Sequence, residues 1–193
     1  MKLILTYLIL LTTNLFAEGG FDKGTSAGKG NVDISITINP LNYFDQGQSY
    51  IMLGYGLTNN FDIHGYFSRS KENIDNYYLG LFYQFLDREK LDLATAFGYR
   101  QIKGYPEKHI FYPQLLYSIY INTNISLGGS FVNIKDSNLY SIGYASDIFI
   151  TKKLYSNNKI NIGFTIGAFN PVFWKPKNGN WHPTYSFDIK IIR

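Results

Sequence analysis

IMLGYGLTNNFDIHGYFS, residues Ile51–Ser68, consists of two runs of alternating character joined by a short polar turn. Ile51, Leu53, Tyr55 and Leu57 alternate with Met52, Gly54, Gly56 and Thr58, and beyond the turn Phe61, Ile63, Gly65 and Phe67 alternate with Asp62, His64, Tyr66 and Ser68. Successive side chains leave a strand on opposite faces, so this pattern predicts a β-hairpin. A three-residue loop, Thr58-Asn59-Asn60, sets Leu57 opposite Phe61 and Tyr55 opposite Ile63, and it puts Asn60 where left-handed backbone is expected, which Asn tolerates. One face of the hairpin is Leu, Ile, Tyr and Phe; the other is glycine with Asp62, His64, Tyr66 and Ser68. Glycine weakens a strand and has no use on a face that meets water. Its presence marks the polar side as the crowded, concave one and turns the apolar side outward. Strands with an apolar exterior cross lipid only as a closed barrel.

The alternation recurs along the chain. Strand one sets Val32, Ile34, Ile36 and Ile38 against Asp33, Ser35 and Thr37. Strand four, near Asp75–Leu86, is bulky on both sides, and Gly80 and Gln84 choose its inner face. Strand five, Leu91–Gln101, sets Leu91, Leu93, Phe97 and Tyr99 against Asp92, Ala94, Ala96, Gly98 and Arg100. Strand six turns Phe111, Leu115, Tyr117, Ile119 and Ile121 outward, although Pro113 interrupts it. Asn122-Thr123-Asn124 repeats the three-residue turn, because Ile121 and Ile125 must share a face. Strand seven (Ile125–Ile134) has Ser126, Gly128 and Ser130 inward, and strand eight (Leu139–Ile150) has Tyr140, Ile142, Tyr144, Ile148 and Ile150 outward. Strand nine sets Ile160, Ile162, Phe164 and Ile166 against Asn161, Gly163, Thr165 and Gly167, and strand ten, Thr184–Arg193, turns Tyr185, Phe187, Ile189 and Ile191 outward. The expected fold is all-β, a closed antiparallel transmembrane barrel of about ten strands; boundaries that slide by a few residues also accommodate eight or twelve. With periplasmic termini, the turns at Thr58–Asn60, Leu86–Lys90, Asn122–Asn124 and Thr151–Lys159 face the periplasm, and the loops at Asn39, Ser70, Lys103, Lys135 and Phe169 face outside.

The first residues, MKLILTYLILLTTNLFAEGG, read as an export signal: Lys2, an apolar run Leu3–Leu11, and a cleavage site at Leu15-Phe16-Ala17 before Glu18. Three segments follow: a cleaved signal peptide (1–17), a glycine-rich, aperiodic, flexible leader (18–30) and the barrel (31–193). Loss of Lys2 leaves 17 of the 18 basic side chains against 14 acidic ones, a formal charge of +3. That charge is dispersed, which excludes a nucleic-acid stripe. Cysteine is absent, so no disulfide framework or thiolate metal site exists, and the histidines at 64, 109 and 182 are too isolated in sequence for a metal motif. Seventeen Tyr and fifteen Phe suit strands and membrane-interface girdles.

The run YGLTNNFDIHG (Tyr55–Gly65) resembles a periplasmic hairpin common in bacterial outer-membrane barrels, including the channel-like family associated with aromatic-compound degradation. The alternating strands are similar to those of small porin-like outer-membrane barrels over nearly all of the mature length. Such proteins often end in Phe or Tyr as an insertion signal; this chain ends Ile191-Ile192-Arg193, with Phe187 its last aromatic residue. The resemblance implies a fold and an outer-membrane location in a Gram-negative bacterium, and carries no catalytic residue or cofactor across.

Candidate chemistry lies on the inner face. Asp33, Asp62, His64, Asp92, Arg100, Asp147, Asp188 and Lys190 all point inward, either as the selectivity lining of a channel for small polar solutes or as a paired plug filling a narrow barrel. His64 with Asp62 is the one catalytic candidate, for a lipid-modifying or proteolytic barrel. Side chains two residues apart on a strand are about 7 Å apart, too far for direct orientation of an imidazole, and Ser68 and Ser118 share the inner face without marking a nucleophile. A soluble lipocalin-like barrel with the faces reversed is the third alternative. Phe173, Trp174, Trp181 and Tyr185 read as an interfacial girdle or an outer-loop platform, and Lys103, Lys108, Lys175 and Lys177 as contacts to lipid phosphates, including lipopolysaccharide, at the outer rim.

Overall fold

Hydrocarbon offers backbone N–H and C=O groups no partners, so a strand protein that crosses it must close every edge on itself. In the computed structural model, which describes residues 23–38, 50–69, 75–104, 106, 108–171 and 181–193, ten strands do this. They are β1 (Val32–Ile38), β2 (Tyr50–Gly56), β3 (Phe61–Arg69), β4 (Asp75–Arg88), β5 (Leu91–Ile102), β6 (Lys108–Tyr120), β7 (Ile125–Lys135), β8 (Ser141–Ser156), β9 (Ile160–Pro171) and β10 (His182–Ile191). Each is antiparallel to its sequence neighbours, and β1 pairs with β10 from Val32↔Ile191 to Ile38↔Tyr185, closing the barrel. The expected signal peptide, together with Phe173, Trp174, Lys175 and Lys177, lies outside the described residues.

The register of the Ile51–Ser68 hairpin is the expected one, with Tyr55↔Ile63 paired and the Leu57 amide bonded to the Phe61 carbonyl at 2.8 Å. Asn60 is a correction: among non-glycine residues described, only Leu139 has positive φ. The turn is shaped instead by the Thr58 hydroxyl, which accepts the amides of Asn60 (3.2 Å) and Phe61 (3.0 Å). Asn122 Oδ1 does the same for Asn124 and Ile125, and Asn157 Oδ1 for Lys159 and Ile160. A side-chain oxygen two residues ahead supplies the turn's bonds, which removes the need for left-handed backbone. Strand β8 runs on to Ser156, so its closing turn is shorter than the expected Thr151–Lys159.

The apolar faces are outside. Leu79 is 63% exposed and Phe131 52%, with Leu53, Tyr55, Ile63, Leu81, Phe97, Leu115, Ile148, Ile150 and Phe187 likewise exposed. Soluble proteins rarely show contiguous apolar surface beyond a few hundred Å², so a belt around the whole barrel belongs in acyl chains. The reversed, lipocalin-like arrangement is excluded by the same faces.

Inside, the barrel has two unlike halves. Toward the loop end, Tyr50, Tyr66 and Tyr78 form a stack with ring centroids 5.1 and 5.0 Å apart, and Phe111 meets Tyr78 edge-on at 5.3 Å. Two apolar clusters fill further space, one of Val132, Ile134, Ala145 and Phe169, and a second of Phe82, Ala94, Ala96 and Leu116 that borders the hollow half. Tyr78 lies across the paired glycines Gly80 and Gly98, where a Cβ on Gly98 would overlap its ring. This is the crowding that inward glycine implied. Two expectations change here. Phe111 faces inward, because β6 is irregular between Phe111 and Gln114, around Pro113, and the alternation shifts phase there. Ile142 packs against the first inner cluster, since β8 is irregular where Ile134↔Gly143 gives way to Lys135↔Ser141.

Candidate functional site

The end of the barrel that carries the short turns is hollow. Its cavity holds about 310 Å³ and is lined by Asp33 and Ser35 of β1, Met52 and Gly54 of β2, Asp62 and His64 of β3, Lys153 of β8, Asn161 and Gly163 of β9, and Asp188 and Lys190 of β10. Phe82, Leu116 and Met52 supply its apolar wall. Period-2 alternation brings these residues together, since every other residue of each strand faces the axis. Asp188 is the hub: Ser35 Oγ (2.7 Å) and Ser186 Oγ (2.9 Å) donate to Oδ1, and Thr165 Oγ1 (2.6 Å) donates to Oδ2. Asp33 sits opposite Lys190 in register, and its carboxylate has no hydrogen-bond or ion-pair partner among the described residues.

A segment from outside the sheet crosses this cavity. Lys23–Gly28 lies inside the hollow end, touching β6, β5, β4, β3 and β2 in turn. Lys23 Nζ pairs with Asp188 Oδ2 at 2.8 Å, and the Gly24 amide donates to Ser118 Oγ at 3.0 Å. Thr25 Oγ1 donates to Asp92 Oδ2 at 2.7 Å, and the Tyr120 hydroxyl donates to the same oxygen, also at 2.7 Å. The amides of Ser26 and Ala27 donate to Gln84 Oε1 (2.8 Å) and Asp62 Oδ2 (2.7 Å), and Lys190 Nζ donates to the Ser26 carbonyl (3.1 Å). Past Gly28, the Gly30 amide bonds to the Gly56 carbonyl at 2.8 Å and the chain enters β1. Ser26 and Ala27 are almost fully buried.

The inward charges named from the sequence therefore separate into groups. Asp33, Asp62, His64, Asp188 and Lys190 line the cavity, and Asp92 holds the crossing segment. Arg100 lies toward the loop end, its guanidinium 3.2 Å from His109 Nδ1 and 5.3 Å from the centre of the Phe111 ring; buried Asp147 faces Phe169 there. His64 and Asp62 do not join: Nε2 of His64 is 3.0 Å from the Tyr78 hydroxyl, which accepts from Gln114 Nε2, while Asp62 serves Ser26 and Ala27. Ser118 receives Gly24, and Ser68 Oγ accepts from Asn76 Nδ2. Neither serine is therefore bonded to the imidazole, whose hydroxyl partner among the described residues is Tyr78.

At the rim, Lys103 pairs with Asp75 (3.5 Å) and Lys108, the first residue of β6, stands 5.9 Å from the Tyr99 ring centre. Trp181 is half exposed, and the Tyr185 ring lies 6.1 Å from that of Phe164. Sequence reading missed Lys23, Thr25, Ser26 and Ala27 as lumen residues, because a segment without periodicity carries no signal of the wall it touches. The surplus of inward hydroxyls, amides and aspartates at the turn end was the available clue.

Neither a protein-family model nor a curated protein matches the chain. Among solved structures, the chain is similar to a KdgM porin in complex with disordered oligogalacturonate, with a TM-score of 0.51 and 10% identity over 84% of this chain and 99% of that one. A second KdgM porin structure gives 0.49 at 10% identity, and a NanC porin 0.41 at 7%, each over the same shares. At this identity the first likeness is one of fold, the closed antiparallel barrel.

Proposed function

We propose that the protein is a narrow channel in the outer membrane of a Gram-negative bacterium, passing small polar solutes without catalysis. The observation that carries this is the hollow half of the lumen, whose walls hold hydroxyls, amides and charges of both signs inside an exterior fit for lipid. Polar walls around a cavity of this size hold water and exchange hydrogen bonds with a passing solute. The KdgM porin of similar fold was solved with oligogalacturonate. Here Lys23, Lys153 and Lys190 face Asp33, Asp62 and Asp188, and this mixed lining suits small neutral or zwitterionic solutes better than a polyanion. The turn end faces the periplasm in this reading, residues 1–17 are removed on export, and Lys103 and Lys108 meet lipid phosphates at the outer rim.

The test is reconstitution of the mature, detergent-folded chain in planar bilayers. Discrete ion steps are expected, and Asp33→Asn should shift the reversal potential in a salt gradient toward anions. A correctly folded barrel that neither conducts nor passes small solutes into liposomes would leave a structural or surface-interaction role instead.

A further inference from the structure

We propose that the turn end of the lumen is a peptide-binding cleft filled in cis by Lys23–Gly28, and that release of this strap opens the cavity. The docking half stands on geometry alone; the gating half rests on the channel reading above.

The strap is bound as a ligand is bound. Its amides at Gly24, Ser26 and Ala27 go to side-chain acceptors on three strands, Ser118 of β6, Gln84 of β4 and Asp62 of β3, rather than to a sheet ladder. Its Ser26 carbonyl is met by Lys190 of β10, and the carbonyls of Ala27 and Gly28 accept from the Asn31 side chain and amide where the segment leads into β1. Its side chains are small, and they need to be. A Cβ on Gly24 would fall 2.7 Å from the Tyr117 Cα, and one on Gly56, opposite the strap, would overlap the Gly28 carbonyl. The cleft therefore selects an extended, small-residue peptide with one cation, Lys23, to meet the Asp188 hub. Its bonds follow the ring from β6 through β5, β4 and β3 to β2, and Lys23 and Lys190 tie it to β10 on the other side of β1, so the strap covers the opening.

The same bonds make the strap releasable. Ala27 is its only apolar side chain in the cleft, and its other side chains are held by hydrogen bonds and the Lys23–Asp188 ion pair. Polar contacts gain little net free energy over their hydrated parts, so water or a polar solute replaces them at low cost, whereas buried apolar anchors would not be given up so readily. Release would return Asp62, Asp92, Gln84, Ser118 and Lys190 to the lumen and join the cavity to the periplasm.

The chain has no cysteine, so one introduced thiol reports on the strap. In the full mature protein, Ala27→Cys should react with a bulky charged maleimide at least about tenfold more slowly than Asn158→Cys in an exposed turn, and Asp62→Ala should raise that rate about tenfold, the scale of one lost charge-assisted bond. Asp62 lies in a strand, so Lys23→Ala with Thr25→Ala, which leaves the strands unaltered, must act in the same direction. Single-channel conductance should rise with the labelling rate in both backgrounds. A parent thiol at position 27 that reacts at the control rate overturns docking. Faster labelling with unchanged conductance overturns gating and leaves the channel standing. Absence of conductance in parent and released forms alike removes the channel reading and the gate with it.

Discussion

Gly98 and Tyr78 show how one residue fixes another at this barrel's core. The Tyr78 ring lies where a Gly98 side chain would go, stacks on Tyr66 and brings its hydroxyl to His64 and Gln114. A methyl group at Gly98 has no free space, so Gly98→Ala should destabilise the folded barrel by about 1–3 kcal/mol, the usual cost of overpacking. Tyr78→Phe keeps the ring and removes the hydroxyl that His64 Nε2 meets, while Gln114 Nε2 keeps the Phe111 carbonyl, and should cost about 1–3 kcal/mol. Urea unfolding of the reconstituted protein, followed by the loss of its β-sheet circular dichroism, measures both. Glycine on a polar face was readable in the sequence as a sign of crowding. Which ring fills the gap was not, because that depends on the stagger between β4 and β5.

At the scale of the element, one turn design recurs among the described residues at Thr58, Asn122 and Asn157, each with a side-chain oxygen taking the amides two and three residues on. Asn122→Ala and Asn157→Ala should each cost about 1 kcal/mol, while Thr58→Asn keeps the acceptor and should be near neutral; urea midpoints read all three. The first two turns were legible because apolar residues on either side must share a face. Their internal geometry was misread, since a sequence shows that Asn tolerates left-handed backbone but not that a neighbouring oxygen has made it unnecessary. Strand β6 makes the complementary point. Its apolar run is continuous through Phe111, yet the irregularity around Pro113 reverses which side that ring faces, and Phe111 becomes a partner of Tyr78 and Arg100.

For the whole molecule, the exterior decides the solvent. Leu81 lies at the middle of β4, paired with Ile63 and Phe97, whereas Ile121 sits in the turn after β6; both are well exposed on the surface. In lipid the cost of a charge depends on depth, so Leu81→Arg should weaken folding into vesicles by about 2–4 kcal/mol and Ile121→Arg by about 0–1 kcal/mol. In a water-soluble barrel neither would matter. Equal, small costs at both positions would sink the membrane assignment. The interior divides the labour differently: a packed half of rings and aliphatics toward the loops, and a hollow polar half at the turns that the strap crosses.

By itself the sequence determined the strand pattern, the closed barrel and which face meets lipid, because each of these follows from a two-residue period that any window of the chain displays. It also named the inward charges, since an inward position is a matter of parity. Only the tertiary structure decided which of them meet. Asp62 looked like a partner for His64 from two residues away, yet it binds the Ala27 amide 35 positions earlier, while Asp188 gathers groups from β1, β9 and Lys23. Closing a sheet into a ring sets these distances, and the stagger of ten strands around an axis is a property of the assembled whole that no single stretch of residues encodes.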